Sequence, residues 1–224
     1  GTAAPDIATA TLEQIADFDD DYRASSTFSD DREFWHEHLL GGTEPDAASL
    51  SPRSAAAAPV ATVRTADLDD ALVDAIRIVA DAHHVRPASV ITAAVAAYLA
   101  RFNDRDDAML SLPVAVRDRE ILRTSAGLTS NVLPILTHLG TPAAPRTVGE
   151  LLTAMNTEIK HAVRHQRFRH EEISAEILGS TGGRGFFGPM VNVMLFFEQI
   201  DFGSLRGDLH VLSTGPVEDL SVNV

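Results

Sequence analysis

Two apolar runs separated by a polar loop constrain the fold of this chain most. The first run covers residues 109–116 and stops at a charged cluster, residues 117–120. A glycine-marked loop at 127–131 then leads into the second run, residues 132–136. Apolar runs of about four to eight residues are typical of buried strands, and polar groups at strand ends often line a binding or catalytic site. The stretch 110–136 therefore predicts two strands that form one wall of a site.

Helical spacing predicts two helices ahead of this wall. Apolar residues recur at helical intervals over residues 11–25 and 29–40. The stretch 43–59 that follows is rich in Pro, Ser and Ala and has no period, which is typical of a linker. We therefore expect residues 1–50 to be the tail of an earlier unit with its linker, and residues 51–224 to form a second unit.

The second unit is expected to alternate strands and helices. A strand is predicted at residues 60–65, and Asp67 is predicted to cap the helix that follows. A further helix over residues 88–102, with Pro87 in its first turn, is apolar nearly all round and is expected to be buried.

Local signals place further elements downstream. Thr147 and Glu150 fit a capping box, in which the two side chains satisfy each other's backbone donors at the start of a helix. A shorter helix and three strands are predicted at residues 171–178, 190–197, 209–212 and 220–224. The last of these strands ends with the chain, which we interpret as truncation. The order of elements predicts the α/β class, with a mixed sheet flanked by helices.

Charge and residue usage exclude several function classes. The formal net charge of −14 argues against binding of nucleic acid, which needs clustered Lys and Arg. The chain contains no cysteine, so disulfides, thiolate metal sites and a cysteine nucleophile are excluded. No apolar run approaches the roughly 20 residues that span a bilayer, and no export signal is visible. We expect a cytoplasmic protein with no membrane partner.

A glycine triplet matches the dinucleotide-binding fingerprint in letters only. Gly183, Gly185 and Gly188 have the required spacing. That motif works when it follows a strand and opens a helix, because the phosphates then meet free backbone amides. Here the order is reversed, so a flexible connector is the favoured interpretation and no cofactor-binding residue is assigned.

Two groups of histidines resemble metal sites. His161 and His165 lie one helical turn apart, but a zinc site needs a third ligand. His36 and His38 diverge around their helix and are a weaker pair still. A solvated or partly buried helix surface is the favoured interpretation, and we predict no metal site.

Asn192 and Arg117 are polar residues in apolar surroundings. A lone amide within an apolar strand costs a few kcal/mol unless its hydrogen bonds are met. Either a neighbouring backbone satisfies Asn192 or the side chain faces a cleft. A guanidinium at the end of a buried strand, as predicted for Arg117, needs a carboxylate partner, and a partner outside this chain would fasten two halves together.

Five ordered motifs carry a resemblance to a known family. The motifs are LPVAVR (112–117), GLTSNVLP (127–134), RHQRFRHEEI (164–173), FGPMVNVMLF (187–196) and GPVEDLSV (215–222). With them the chain resembles the carboxy-terminal half of a condensation domain from nonribosomal peptide synthetases, and residues 19–42 resemble the stretch that leads into that half. The forms HQRFRHEE and NVMLF resemble the siderophore-type subgroup more than ordinary peptide-extending domains.

The resemblance implies a fold and a reaction. The fold would be similar to chloramphenicol acetyltransferase, with two α/β lobes and a tunnel between them. Donor and acceptor peptidyl carrier proteins would bring their substrates on phosphopantetheine arms to opposite mouths of the tunnel. The implied partners are these carriers, the adenylation domain of the same module and the amino-terminal lobe of the same domain.

The catalytic signature of the family, His-His-x-x-x-Asp-Gly, is not in this sequence. His83 and His84 form a His-His pair, but Ala88 and Ser89 stand where Asp and Gly are required. The resemblance therefore implies no catalytic residue in this chain, which is expected to be inactive alone because the motif lies upstream.

The resemblance assigns supporting positions to three residues. Arg117 is similar to the arginine that pairs with the motif aspartate across the lobes. Asn131 lies in the family's loop motif near the tunnel floor, and Asn192 resembles a strand residue that lines the tunnel. Two alternatives stay open: a carrier-docking scaffold without catalysis, and an epimerisation-type domain of the same fold.

Overall fold

A computed structural model shows the elements that the sequence forms. It describes residues 9–40, 62–117, 119–125, 127, 129–141, 143–176, 187–194, 200–203, 205–207, 217 and 219–224. The helices are α1 (Leu12–Arg23), α2 (Ser26–Leu40), α3 (Asp70–Ala82), α4 (Pro87–Phe102), α5 (Glu120–Arg123), α6 (Val148–Arg164) and α7 (His170–Glu176). The strands are β1 (Asp107–Val114), β2 (Asn131–His138), β3 (Gly140–Thr141), β4 (Ala144–Pro145), β5 (Met190–Asn192), β6 (Ile200–Phe202), β7 (Leu205–Gly207) and β8 (Ser221–Asn223).

The chain forms two compact units, each assembled from separate segments. The first unit contains Gly1–Glu44, Pro113–Leu133 and Ala162–Gly185. The second unit contains Pro45–Leu112, Pro134–His161 and Phe186–Val224.

Aromatic side chains fill the core of the first unit. Trp35 and Phe168 have no exposed surface, and Phe28 contacts both Phe168 and Tyr22 through its ring. α1 begins with a capping box between Thr11 and Gln14, in the manner expected of a helix start. The two helices predicted before residue 43 are thereby confirmed, with α2 beginning three residues earlier than expected.

A sheet and the helices α3 and α4 characterise the second unit. The sheet has the strand order β2-β1-β5-β8, in which β5 runs parallel to both β1 and β8. Ser111 in β1 lies opposite Met190 in β5, which lies opposite Ser221 in β8. With the antiparallel pairs β3-β4 and β6-β7, this arrangement confirms the α/β class with a mixed sheet.

Several local predictions are confirmed. Pro87 is the first residue of α4 and Thr147 caps α6 in a capping box with Glu150. The Thr147 amide and hydroxyl bind the Glu150 carboxylate, which lowers the pKa of that group. Among the described residues, no helix has both the length and the apolar character that crossing a membrane requires.

Two predictions in the second unit are wrong. Residues 62–65 form no strand, and residues 60 and 61 lie outside the described part. The helix cap is Asp69 rather than Asp67, because the Asp69 carboxylate accepts the hydrogen bond from the amide of Leu72 at 2.7 Å. The helix therefore begins two residues later than the sequence pattern indicates.

α4 is less buried than predicted. One face is fully enclosed and contains Leu99 and Ala96. On the opposite face Tyr98 is 63% exposed and Phe102 is 61% exposed, and their rings stack on each other.

The carboxy-terminal predictions are only partly covered by the described residues. The shorter helix begins at His170 and is described to Glu176, and the strand predicted at 190–197 is seen as β5, three residues long. Met194 and Asn192 continue the pairing through backbone hydrogen bonds with Val224. The strand predicted at 209–212 and most of the glycine triplet lie outside the described residues.

Candidate functional site

Asn131 is the most fully bonded of the three predicted supporting residues. It is the first residue of β2 and is buried. Its Nδ2 group donates to the carbonyl oxygens of Gln166 at 2.9 Å and Phe168 at 2.8 Å. Its Oδ1 atom accepts from the amides of Val132 at 2.9 Å and His170 at 3.0 Å. One side chain therefore ties the start of β2 to the turn between α6 and α7.

Arg117 is placed differently from the sequence-based expectation. β1 ends at Val114, and Val116 adopts a left-handed backbone with φ of 46°, which a β-branched residue rarely does. This bend ends the strand before Arg117, which is exposed. The expected position directly at the end of a buried strand is therefore wrong.

The guanidinium of Arg117 binds the loop that follows it. Nη1 donates to the carbonyl oxygens of Leu122 at 2.7 Å and Ser125 at 3.1 Å, and Nη2 donates to Gly127 at 3.4 Å. The Thr129 hydroxyl closes the same loop by donating to the carbonyl of Ala115 at 2.7 Å. Arg117 thus holds a loop in a fixed shape through its carbonyl oxygens.

Asn192 is the least constrained of the three. It lies in β5, is half-buried, and its Nδ2 group is 3.5 Å from Oδ1 of Asn223 on the neighbouring strand β8. That distance is at the outer limit of a hydrogen bond. The roles of Arg117, Asn131 and Asn192 in a tunnel stay predictions.

Sequence reasoning missed a buried polar cluster in the first unit. Asp31 on α2 is only 4% exposed and accepts a hydrogen bond from the Tyr22 hydroxyl at 2.7 Å. Its second carboxylate oxygen lies 2.8 Å from Nδ1 of His165. Burial, followed by the hydrogen bond to Asp31, raises the pKa of Tyr22. The sequence signals, an aspartate on α2 and a histidine at the end of α6, are 134 positions apart.

Arg167 covers this cluster. Its Cζ atom lies 3.9 Å from the ring centroid of Tyr22 and 4.3 Å from that of Phe18. Its Nη2 group donates to the carbonyl oxygen of Phe18 at 3.3 Å. A cation over two rings of one helix adds an attractive contact.

The histidine groups have other surroundings than a metal site. His165 pairs with Asp31, His36 lies 3.5 Å from Glu176, and the His83 ring packs against Gly149. Within the described ranges, no group of three or more metal-ligating side chains converges. The structure thus gives His165 a partner that the spacing to His161 did not indicate.

Comparison with known protein families decides which family this chain represents. A sequence model of the condensation domain matches residues 9–210. The chain belongs to the condensation domain family. Its α/β fold is the one found in solved condensation domains, in agreement with the fold expected from the resemblance.

The relatives are much longer than this chain. The dimodular nonribosomal peptide synthase of Bacillus subtilis (strain 168) is 30% identical over 224 residues, which is 100% of this chain and 9% of that protein. Enterobactin synthase component F of Escherichia coli (strain K12) is 29% identical over 205 residues, 90% of this chain and 15% of that protein.

Solved condensation domains show which share of such a domain the chain represents. The first condensation domain of the CDA synthetase is 28% identical with a TM-score of 0.83, and the match covers 99% of this chain and 48% of that one. A mutant of the starter condensation domain of rhizomide synthetase RzmA is 30% identical with a TM-score of 0.77, and the match covers 100% of this chain and 49% of that one. The chain therefore spans about half the length of these domains.

Proposed function

We propose that this chain forms the carboxy-terminal half of a condensation domain that makes amide bonds. The amine of an acceptor aminoacyl thioester attacks the carbonyl carbon of a donor acyl or peptidyl thioester. A C–N bond forms, the C–S bond breaks, and the donor phosphopantetheine leaves as a thiol that carries the proton lost by the amine. The histidine motif that would assist this proton transfer is supplied by the amino-terminal half.

One observation carries the proposal: the whole chain aligns with about half of each solved condensation domain. A match to half of the domain fits one lobe that forms part of the tunnel wall and contains no general base. The sequence agrees, because His83 and His84 are not followed by the Asp and Gly of the family motif.

The geometry supports roles for the three supporting residues. Asn131, with its four hydrogen bonds, would orient the backbone at the tunnel floor. Arg117 would present a guanidinium to the motif aspartate of the other lobe while its loop contacts keep it in place. Asn192 has one long contact within the sheet, and its amide would face the substrate arm in the tunnel.

We also propose the wider context of the reaction. The partners would be donor and acceptor carrier proteins, the adenylation domain of the module and the amino-terminal lobe, in a cytoplasmic synthetase. Relatives include enterobactin synthase component F and vanchrobactin synthetase VabF. Residues 168–171 read Phe-Arg-His-Glu, where ordinary peptide-extending condensation domains usually have Pro-Phe-Glu. Together with the similarity to these relatives, this difference supports a siderophore-type synthetase.

The test is an amide-formation assay with the complete protein that contains this chain. Donor and acceptor carriers are loaded, mixed with the enzyme, and the products are released and weighed by mass spectrometry. A condensed product that disappears when the histidines of the upstream motif are replaced supports the proposal. Loaded carriers without product indicate the docking scaffold, and inversion of a single aminoacyl thioester indicates the epimerisation type. Amide formation by the 224-residue chain alone would also contradict the proposal.

A further inference from the structure

The turn between α6 and α7 is held by side chains from two other parts of the first unit. Trp35 on α2 donates from Nε1 to the carbonyl oxygen of His165 at 3.0 Å. Asn131 at the start of β2 binds the carbonyl oxygens of Gln166 and Phe168 at 2.9 and 2.8 Å. The peptide groups of one turn are thus fixed by α2 and by β2.

The side chain of His165 fixes the same turn in a second way. Its Nδ1 atom lies 2.8 Å from Oδ1 of Asp31, which sets the orientation of the ring within its plane. Phe34 stacks on the ring with 3.9 Å between centroids and 12° between planes, which sets the plane itself. Because both constraints come from α2, the position of the turn follows that helix.

Asp31 is itself held tightly. Its other carboxylate oxygen accepts the hydrogen bond of Tyr22 at 2.7 Å, so both oxygens are engaged. Burying a carboxylate costs free energy that apolar packing would not, so a buried carboxylate is a poor means of stabilising a helix contact. What it supplies is direction, since hydrogen bonds fix angles as well as distances.

We propose that Asp31 is a positioning residue for the amide-forming site: through His165 it fixes the turn 165–168, and through that turn it fixes the orientation of Asn131. The inference rests on the proposed function and on the place of Asn131 at the tunnel floor. It adds a residue on α2, acting through His165, to the set that determines turnover.

The experiment compares steady-state kinetics of the complete synthetase with Asp31→Asn and with Arg32→Gln. Asn keeps the shape of the side chain but loses the carboxylate charge and replaces one acceptor oxygen by a donor, so His165 can keep a hydrogen bond to this position only as the tautomer that accepts at Nδ1. We expect kcat for the condensed product to fall about tenfold, while KM for both loaded carriers stays within about twofold, because a displaced supporting group affects the reacting geometry.

Arg32→Gln is the matched control. Arg32 is the next residue on α2 and pairs with Glu176 of α7 at 2.6 Å, so its loss also weakens a contact of α2 without touching His165. We expect wild-type kcat in this variant. Equal kcat losses in the two variants, or an Asp31→Asn enzyme with wild-type kcat and only a lower melting temperature, would overturn the proposal.

A second variant covers the case in which Asp31→Asn does not fold. Tyr22→Phe removes one hydrogen bond from Asp31 and keeps the ring under Arg167. It is expected to lower kcat about two- to fivefold with KM unchanged, and an unchanged kcat contradicts the role of Asp31. The wild type is measured alongside: if it forms no amide the proposed function fails, whereas product from the wild type and from both variants at equal rates refutes only the positioning role.

Discussion

The indole Nε1 of Trp35 donates a hydrogen bond of 3.0 Å to the backbone carbonyl oxygen of His165. Trp35 is fully buried, so its replacement by Phe removes both a hydrogen-bond donor and packed volume. We expect Trp35→Phe to lower the free energy of unfolding by about 2–4 kcal/mol, because a cavity forms and the partly buried carbonyl of His165 loses its partner. Urea unfolding followed by far-UV circular dichroism measures this loss.

Tyr98→Phe is the control for that substitution. Tyr98 is exposed on α4, so we expect its free energy of unfolding to stay within about 0.5 kcal/mol of the wild type. A Trp35→Phe variant as stable as Tyr98→Phe would mean that the contact with His165 does not hold the turn.

The start of α3 offers a prediction with its own internal control. Asp69 accepts the hydrogen bond of the Leu72 amide, whereas Asp67 lies two residues before the cap and is exposed. Asp69→Ala is expected to cost about 1 kcal/mol of unfolding free energy, and Asp67→Ala only a few tenths. The midpoints of urea unfolding of the two variants show which aspartate caps α3. A larger loss of stability in Asp67→Ala than in Asp69→Ala would identify Asp67 as the cap.

The sequence-based predictions that the structure confirms best rest on residues three or four positions apart in the chain. The capping box at Thr147 and the start of α4 at Pro87 are examples, since each follows from residues within one helical turn. The cap of α3 shows the limit of such reasoning. The sequence TADLDD offers several aspartates, and only the structure shows that Asp69 is the one that accepts from the Leu72 amide.

The contacts that form the candidate site are long-range, and no periodicity shows them. Asn131 binds carbonyl oxygens 35 and 37 positions further along the chain, and Asp31 meets His165 across 134 positions. The spacing along the chain suggested a pair of His165 with His161, but in the structure the His165 ring contacts Asp31 on α2. Family resemblance identified Asn131 and Arg117 as important positions, but only the folded structure shows that both bind backbone carbonyls.

Tyr22 predicts how stability responds to alkaline pH. Burial and then the hydrogen bond to Asp31 raise the pKa of Tyr22 above its usual value of 10.0. Above about pH 10 the unfolded chain releases a proton that the folded chain retains. The contribution of Tyr22 to the free energy of unfolding is therefore fully present below that pH and is lost as pH rises. The fall should be shallower in Tyr22→Phe, by up to about 1.4 kcal/mol per pH unit.

Unfolding free energies between pH 9 and about pH 11.5 measure this difference. Tyr98→Phe serves as the comparison, since it removes the hydroxyl of an exposed tyrosine on α4. Parallel curves for the wild type and Tyr22→Phe would show that the Tyr22 hydroxyl is not protected in the folded protein.

Arg117 distinguishes the isolated chain from the complete domain. In this chain Arg117 is exposed and binds backbone carbonyl oxygens of its own loop, so Arg117→Ala should cost only about 1 kcal/mol. In the complete domain we expect a loss of about 3–5 kcal/mol and slower turnover, because the partner carboxylate would be left buried without its cation. Denaturant unfolding of both forms provides the comparison, and equal losses would remove the predicted pairing across the lobes.

Asn131 and Asn192 are both strand asparagines with predicted supporting roles, yet their surroundings predict effects of different size on the free energy of unfolding. The Asn131 side chain makes four hydrogen bonds within the first unit, whereas the contact of Asn192 with Asn223 is long, at 3.5 Å. Asn131→Ala should lower the free energy of unfolding by about 2–4 kcal/mol, since buried carbonyls and an amide lose their partner. Asn192→Ala should change it by less than about 1 kcal/mol.

Turnover and melting temperature, measured together, separate the two residues. Asn192→Ala in the complete synthetase is expected to raise KM for a loaded carrier or to lower kcat while the melting temperature stays unchanged, because the contact of its amide with Asn223 is long and weak. Asn131→Ser, which keeps a short polar group, should lower kcat and the melting temperature together. If Asn192→Ala has wild-type kinetics, Asn192 does not line the tunnel. The resemblance would then describe its position in the sheet but not a role in catalysis.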